Sequence, residues 1–279
     1  MSDYPIPMFI IGSGRCGTRT MFKMLSGVPD LEIYHEFVCT HVQKLACLYY
    51  MEVINKNEVK AELHGLHGAG IAYSDARIWI DASNKLSWLI EPLMEMYPNA
   101  RFLALVRDGR KVASSFFYKL APGMYDDRST RILTNWLADS ENLPPPPPEK
   151  KYWWNIPRPG QPFYEEFRDF DQFQRVCYHW SEVNRVILQD LERYVPLNQK
   201  IIIKLEDLTT NLEVLHQVLD FIGIEFDFDY VEFLKTPQNV FFPIDFQLTD
   251  SQLAQFHDIA WPMMKTLDYE NENAYTVRY

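Results

Sequence analysis

Four short stretches hold uninterrupted apolar runs, the first apolar throughout and the others opened by Arg or Lys, the pattern of strands buried on both faces rather than of amphipathic segments. They are Met8-Phe-Ile-Ile11, Arg77-Ile-Trp-Ile80, Arg101-Phe-Leu-Ala-Leu-Val106 and Lys200-Ile-Ile-Ile-Lys204. Each runs into a segment with helical spacing. Met21, Met24 and Leu25 share one face over Thr18 to Leu25, and the residues after Arg110 continue as a helix through Leu120. Leu86 to Tyr97 reads as a helix opened by Ser83 or Asn84, and Asn211 to Phe221 as one closed by Gly223. Strands alternating with helices at these intervals predict an α/β fold: a three-layer α/β/α arrangement of the P-loop type, with a parallel sheet flanked by helices.

Between Ala121 and Gln161 the alternation fails. Pro144 to Pro148 is a run of five prolines, followed by Tyr152-Trp-Trp154, Pro157 and Pro159. We read residues 121–161 as an irregular Pro/Trp-rich insertion within a single domain spanning 1–279, its polyproline stretch stiff and extended. Trp136, Tyr152, Trp153 and Trp154 are candidates for a platform under a sugar or a flat apolar substrate, or for anchors of the loop itself.

Composition narrows the function. The chain has 279 residues, 47% hydrophobic, with 27 Lys+Arg against 38 Asp+Glu and a net charge of −11. Such a balance argues against a general nucleic-acid or anionic-membrane binder, so any anion must be held by a local site. No apolar run approaches a membrane span and Met1 to Met8 has no basic leader, which predicts a soluble cytoplasmic protein. Cys16, Cys39, Cys47 and Cys177 form no CxxC pair, and Glu62, His64 and His67 match no strong metal spacing, so no metal is expected. Nothing here fixes an oligomeric state.

The chemistry concentrates where strands end. Gly12-Ser-Gly14-Arg15-Cys16-Gly17-Thr18-Arg19-Thr20 lies between a strand and a helix, presenting backbone N–H groups and a helix N-terminus to an anion. It nearly matches the nucleotide-binding pattern G-x-x-x-x-G-K-[ST], but Thr18 replaces the lysine and Arg19 the magnesium-binding hydroxyl. A P-loop kinase or nucleotide hydrolase with a degenerate loop is one reading, and a non-catalytic nucleotide binder another. Later, Arg107 leaves the carboxyl end of a buried strand and Ser115 follows eight residues on, about two helical turns away. Both can reach one phosphate near the sheet edge.

A cation inside the loop, Arg15, followed by Cys16-Gly17-Thr18, resembles the 5′-phosphosulfate loop of sulfotransferases that use 3′-phosphoadenosine 5′-phosphosulfate (PAPS), with Cys16 in place of the commoner serine. The Arg107 to Ser115 spacing resembles the same family's 3′-phosphate site. Tyr97 to Arg110 and Trp261 to Tyr269 look most like segments of the tyrosylprotein sulfotransferases and their relatives. The resemblance implies PAPS as sulfuryl donor, without a metal, and cofactor contacts at Gly14, Arg15, Cys16, Gly17, Thr18, Arg19, Arg107 and Ser115. It further implies Glu36 as general base, after the Val28-Pro-Asp30 turn, with Lys85 and Arg15 stabilising charge on the transferring group. His35 is the rival base, since its unperturbed pKa lies near neutrality, and the two neighbours are not expected to face one site easily. Relatives carry a tyrosine at the adenine where this chain has Leu205, before Glu206. Carbohydrate, a small hydroxylated metabolite and peptide tyrosine are all open as acceptor.

Overall fold

The computed structural model describes residues 5–120, 123–236 and 247–272. Five strands make one parallel sheet among the described residues: β1 (Ile6–Gly12), β2 (Leu31–His35), β3 (Ile78–Ala82), β4 (Arg101–Val106) and β5 (Lys200–Lys204), in the order β2-β3-β1-β4-β5. In register, Met8 pairs with Ile80 on one side and Arg101 on the other. The chain fills the β2-β3 side after β1 and then the β4-β5 side, so the carboxyl end of β1 sits at the point where the strand order reverses. Ligands of open α/β sheets bind at such points.

Alternation along the strands divides the core into two layers. Phe9, Ile11, Trp79, Phe102 and Ala104 face one side. Against them lie α2 (Cys39–Tyr50), α3 (Lys56–Leu63), α5 (Ile90–Met96) and part of α8 (Gln172–Tyr194), while a short α4 (Ala69–Ala72) follows α3. Met8, Ile10, Ile78, Ile80, Leu103 and Leu105 face the other. That side is covered by α1 (Thr18–Leu25), α9 (Leu205–Thr210), α10 (Leu212–Ile222) and α11 (Phe228–Lys235). Asn211 caps α10 by accepting from the Glu213 N–H, and Gly223 closes it in the left-handed conformation, as the sequence predicts.

A third apolar cluster lies beyond β4. There α6 (Gly109–Leu120), α7 (Asp127–Ala138), the middle of α8 and α12 (Asp250–Thr266) bring together Phe116, Leu133, Trp153, Trp180 and Phe256. Here the sequence reading needs correction. The insertion, whose first residues 121–122 lie outside the described ones, is not irregular throughout. Helix α7 occupies its first half, capped by Asp126 accepting from the Ser129 N–H, because Leu133 and Trp136 can be buried together on one face. After the prolines, Trp153 is fully buried and its Nε1–H donates to the Pro147 carbonyl at 2.7 Å, pinning the extended stretch to the core.

Three further differences concern boundaries and missed elements. The second apolar run forms a strand from Ile78 to Ala82, so Arg77 lies just before it. The single helix expected from Leu86 to Tyr97 is instead a 3₁₀ turn, Asn84–Trp88, followed by α5; Leu89 between them has left helical geometry. Finally, β2 and α8 have no counterpart in the sequence reading. No helix among the described residues is long and apolar enough to cross a membrane.

Candidate active site

The loop after β1 owes its shape to alternating left-handed residues. Gly14 (φ +83), Arg15 (φ +56) and Gly17 (φ +109) turn the chain so that it curls over the start of α1. Close packing adds to the demand for glycine: a Cβ at Gly17 would lie 2.6 Å from Leu205 Cδ1, and one at Gly14 would lie 2.8 Å from Phe116 Cζ. From α8, the ring of His179 reaches the Ser13 carbonyl at 3.1 Å. Burial pushes this imidazole down to about 4, so it is neutral and supports the loop without adding charge.

The two halves of the site read from sequence meet directly. Arg15 Nε donates to Ser115 Oγ at 3.0 Å, and Arg107 Nη1 donates to the Arg15 carbonyl at 2.8 Å. Arg107 sits where β4 ends, and Ser115 faces it from α6. Ser115 is completely buried and lies behind Arg15 rather than on the cavity wall, so its hydroxyl orients the guanidinium. Cys16 is likewise turned inward. Its thiol packs in the apolar core, where burial pushes its pKa up, and Cys16 does not line the cavity.

A cavity of about 960 Å³ opens in front of this loop. Gly14, Arg15, Gly17, Thr18, Arg19 and Arg107 line it, together with Glu36, Lys85 and His35. Its described wall holds nine Lys or Arg side chains against three carboxylates, in a chain whose net charge is −11. Lys111, Lys119, Lys150, Lys151 and Lys235 come from α6, α11 and the insertion. The anionic chain thus carries a local cationic basin, which suits a multiply anionic ligand.

At the other side of the loop stands an ion triad. Lys85, more than nine-tenths buried, donates to Glu36 Oε1 and, at 2.7 Å, to Asn84 Oδ1. Lys150, from the insertion, donates to Glu36 Oε2 at 2.9 Å. Burial by itself would raise the Glu36 carboxyl, but the Lys85 ammonium and then Lys150 outweigh it and hold it at about 2. Burial pushes the Lys85 ammonium down, with Glu36 opposing. The expectation that His35 and Glu36 do not share a site is corrected: both line the cavity, because Glu36 leaves the strand with φ +57 and breaks the two-residue alternation. His35 rests against the Phe22 ring at 5.8 Å, and burial lowers its pKa.

Of the four aromatics considered for a substrate platform, Trp154 lines the cavity. Its Nε1–H donates to the Gly123 carbonyl at 3.0 Å, and its ring packs edge-on against Phe116 and His179. Tyr152, Trp153 and Trp136 are buried anchors. Leu205 also lines the cavity, next to Gly17. His67 pairs with Asp81 in the interior, and among the described residues no group of three or more His, Cys, Asp or Glu is placed to hold a metal.

The sulfotransferase family model matches residues 7–144. No curated protein matches the chain by sequence. Among solved structures, the sulfotransferase from Alicyclobacillus acidocaldarius superposes with a TM-score of 0.51 at 14% identity, over 96% of this chain and 97% of that one. The sulfotransferase STF9 from Mycobacterium avium also gives 0.51 at 14% identity, over 95% of this chain and 78% of that one. Identities this low speak for the fold. The family match covers the β1 loop, Glu36, Lys85, Arg107 and Ser115, so the stretch that carries the site is similar to the sulfotransferase family, and the chain shares the fold of solved sulfotransferases.

Proposed function

We propose that the chain moves the sulfuryl group of PAPS to a hydroxyl or amine of an acceptor. The observation that carries this reading is the meeting of the β1 loop, Arg107 and the Glu36-Lys85 pair around one cationic cavity. The left-handed loop and the nine cations fit a donor that bears a phosphosulfate at one end and a 3′-phosphate on its ribose. Backbone N–H groups of residues 14–19 and Arg15 would hold the phosphosulfate, and Arg107, steadied through Arg15, the 3′-phosphate. Leu205 and Leu234 offer apolar surface for the adenine in place of a stacked tyrosine.

Glu36 then takes the acceptor's proton. As it does, the acceptor oxygen or nitrogen forms its bond to sulfur, the bond from sulfur to the bridging phosphate oxygen breaks, and the electron pair stays on the leaving 5′-phosphate. Lys85 and Arg15 neutralise that oxygen. A carboxyl held near 2 is a weak base, so Lys85 must turn from Glu36 toward the donor first. Removing that ammonium raises the carboxyl's proton affinity as the donor gains a counter-charge. Phe116, Met124 and Trp154 wall the acceptor's side of the cavity.

Calorimetric titration with 3′-phosphoadenosine 5′-phosphate (PAP), against ATP with magnesium, tests the assignment. Selective binding of PAP, lost in Arg107→Ala with the fold intact, is expected. Binding of ATP alone, or of neither nucleotide, overturns it and leaves an undetermined P-loop-like protein.

A further inference from the structure

Glu36 stands on an improbable piece of backbone. Both it (φ +57) and Val38 (φ +45) are left-handed, and for a β-branched residue this is a true outlier that the surroundings must enforce. Two contacts do so. The Glu36 N–H donates to the Ala82 carbonyl at 3.2 Å, and between the two strained residues the Phe37 N–H donates to Asp81 Oδ1 at 3.1 Å.

Asp81 is fully buried, and so is its other partner, His67, whose Nε2 lies 3.1 Å from Asp81 Oδ2. His67 Nδ1 has no partner among the described residues. With its proton on Nε2 the ring donates to Asp81 and leaves no N–H unmet at Nδ1. The ring is wedged edge-on between Phe37 (5.4 Å) and Trp79 (5.7 Å), which fixes its direction. It is delivered by a π-helical turn, His64–Gly68, inserted between α3 and α4, and such local bulges concentrate at functional sites.

We propose that the buried His67-Asp81 pair is the positioning device of Glu36: Asp81 holds the turn by its Phe37 N–H, and His67 holds Asp81 in the rotamer that does so. Neither residue lines the cavity; both act through the placement of Glu36 between Lys85 and Lys150. The inference rests on the reading of Glu36 as base, but its test does not.

The test follows the Glu36 carboxyl by carbon NMR in glutamate-labelled protein, with the signal assigned by Glu36→Gln and with PAP affinity measured in parallel. Lys85, Lys150 and His35 face Glu36 and stay unaltered, while the Asp81 charge also acts on it, so Asp81→Asn, which removes that charge as Asp81→Ala does, is the reference for loss of the anchor. In Asp81→Ala the turn loses its anchor, the ion pairs loosen, and the Glu36 midpoint rises by about one unit or more toward the ordinary range while PAP still binds. Asp81→Asn, whose amide oxygen can still accept from Phe37, shows no such rise. His67→Gln, which can still donate to Asp81, keeps the wild-type midpoint, whereas His67→Leu raises it. If Asp81→Ala does not fold, the two His67 variants decide alone. An unmoved midpoint in Asp81→Ala or His67→Leu, or equal shifts in the conservative and disruptive variants, overturns the positioning role and leaves the base assignment standing. A Glu36→Gln enzyme with full transfer activity overturns the base assignment instead.

Discussion

Arg15 Nε and Ser115 Oγ, a hundred residues apart in sequence, are joined at 3.0 Å, so the loop after β1 and the helix after β4 are one binding structure. Ser115→Ala deletes the acceptor that orients the half-buried Arg15 side chain on the cavity wall. The lost bond is worth about 1 kcal/mol, so PAP affinity is expected to fall roughly five- to tenfold. Calorimetry on the variant checks this. Unchanged affinity would mean that Ser115 has no part in orienting Arg15.

The β1 loop is predicted to be intolerant at Gly17 for two separable reasons. Its φ of +109 is strained for any L side chain, and a Cβ meets Leu205 Cδ1 at 2.6 Å. Gly17→Ala should cost about 1–3 kcal/mol of stability and abolish PAP binding. Adding Leu205→Ala removes the clash but not the strain, so the double variant should regain part of the melting temperature without full affinity. Thermal melts of the two variants against Leu205→Ala alone measure the share of each.

How far these relationships could be read beforehand depends on where each residue lies. Strands β1 and β4, and the convergence of the residues at their carboxyl ends, were legible because interior parallel strands are uninterrupted apolar runs. The edge strand β2 was not: Leu31, Glu32, Ile33, Tyr34 and His35 are all half-buried and mix polar with apolar side chains. Lys150 was invisible for another reason. It follows a proline run, where no periodicity exists to orient it, and only the burial of Trp153 and the clamp from Gln43 direct it at Glu36. The cationic basin is similarly a product of tertiary structure, since its lysines arrive from separate elements.

The Glu36 triad gives the fold a specific acid sensitivity. Its carboxyl falls from an ordinary 4.5 in the unfolded chain to about 2 in the folded one. A depressed folded value contributes stability that is fully present above about pH 4.5 and is lost as pH falls toward 2. The pH-dependent part is on the order of 2 kcal/mol for a mostly buried, coupled carboxyl. Glu36→Gln lacks this contribution, so wild type and variant should converge in melting temperature as pH drops across that window. Parallel curves from pH 6 to 2.5 would remove the triad as a source of stability.

The last prediction concerns the strap that brings Lys150 to Glu36. Gln43, on α2 and almost entirely buried, donates through Nε2 to the Lys150 carbonyl at 3.1 Å and to the Trp153 carbonyl at 2.9 Å. One amide thus satisfies two carbonyls of a segment that has no regular secondary structure beyond a single 3₁₀ turn. Gln43→Leu keeps similar bulk but takes the Gln43 donor from the Trp153 carbonyl and leaves the Lys150 carbonyl with the Trp153 N–H, at a cost of about 1–2 kcal/mol. The strap should respond locally first, because a short segment held by few contacts opens more readily than the sheet. Hydrogen exchange across residues 149–154 should accelerate more than tenfold while the β1 and β4 amides stay protected. Trp153, fully buried with its own bond to Pro147, competes with this outcome by anchoring the strap independently. Exchange that stays slow in Gln43→Leu but rises in Trp153→Ala would transfer the anchoring role from the amide to the indole.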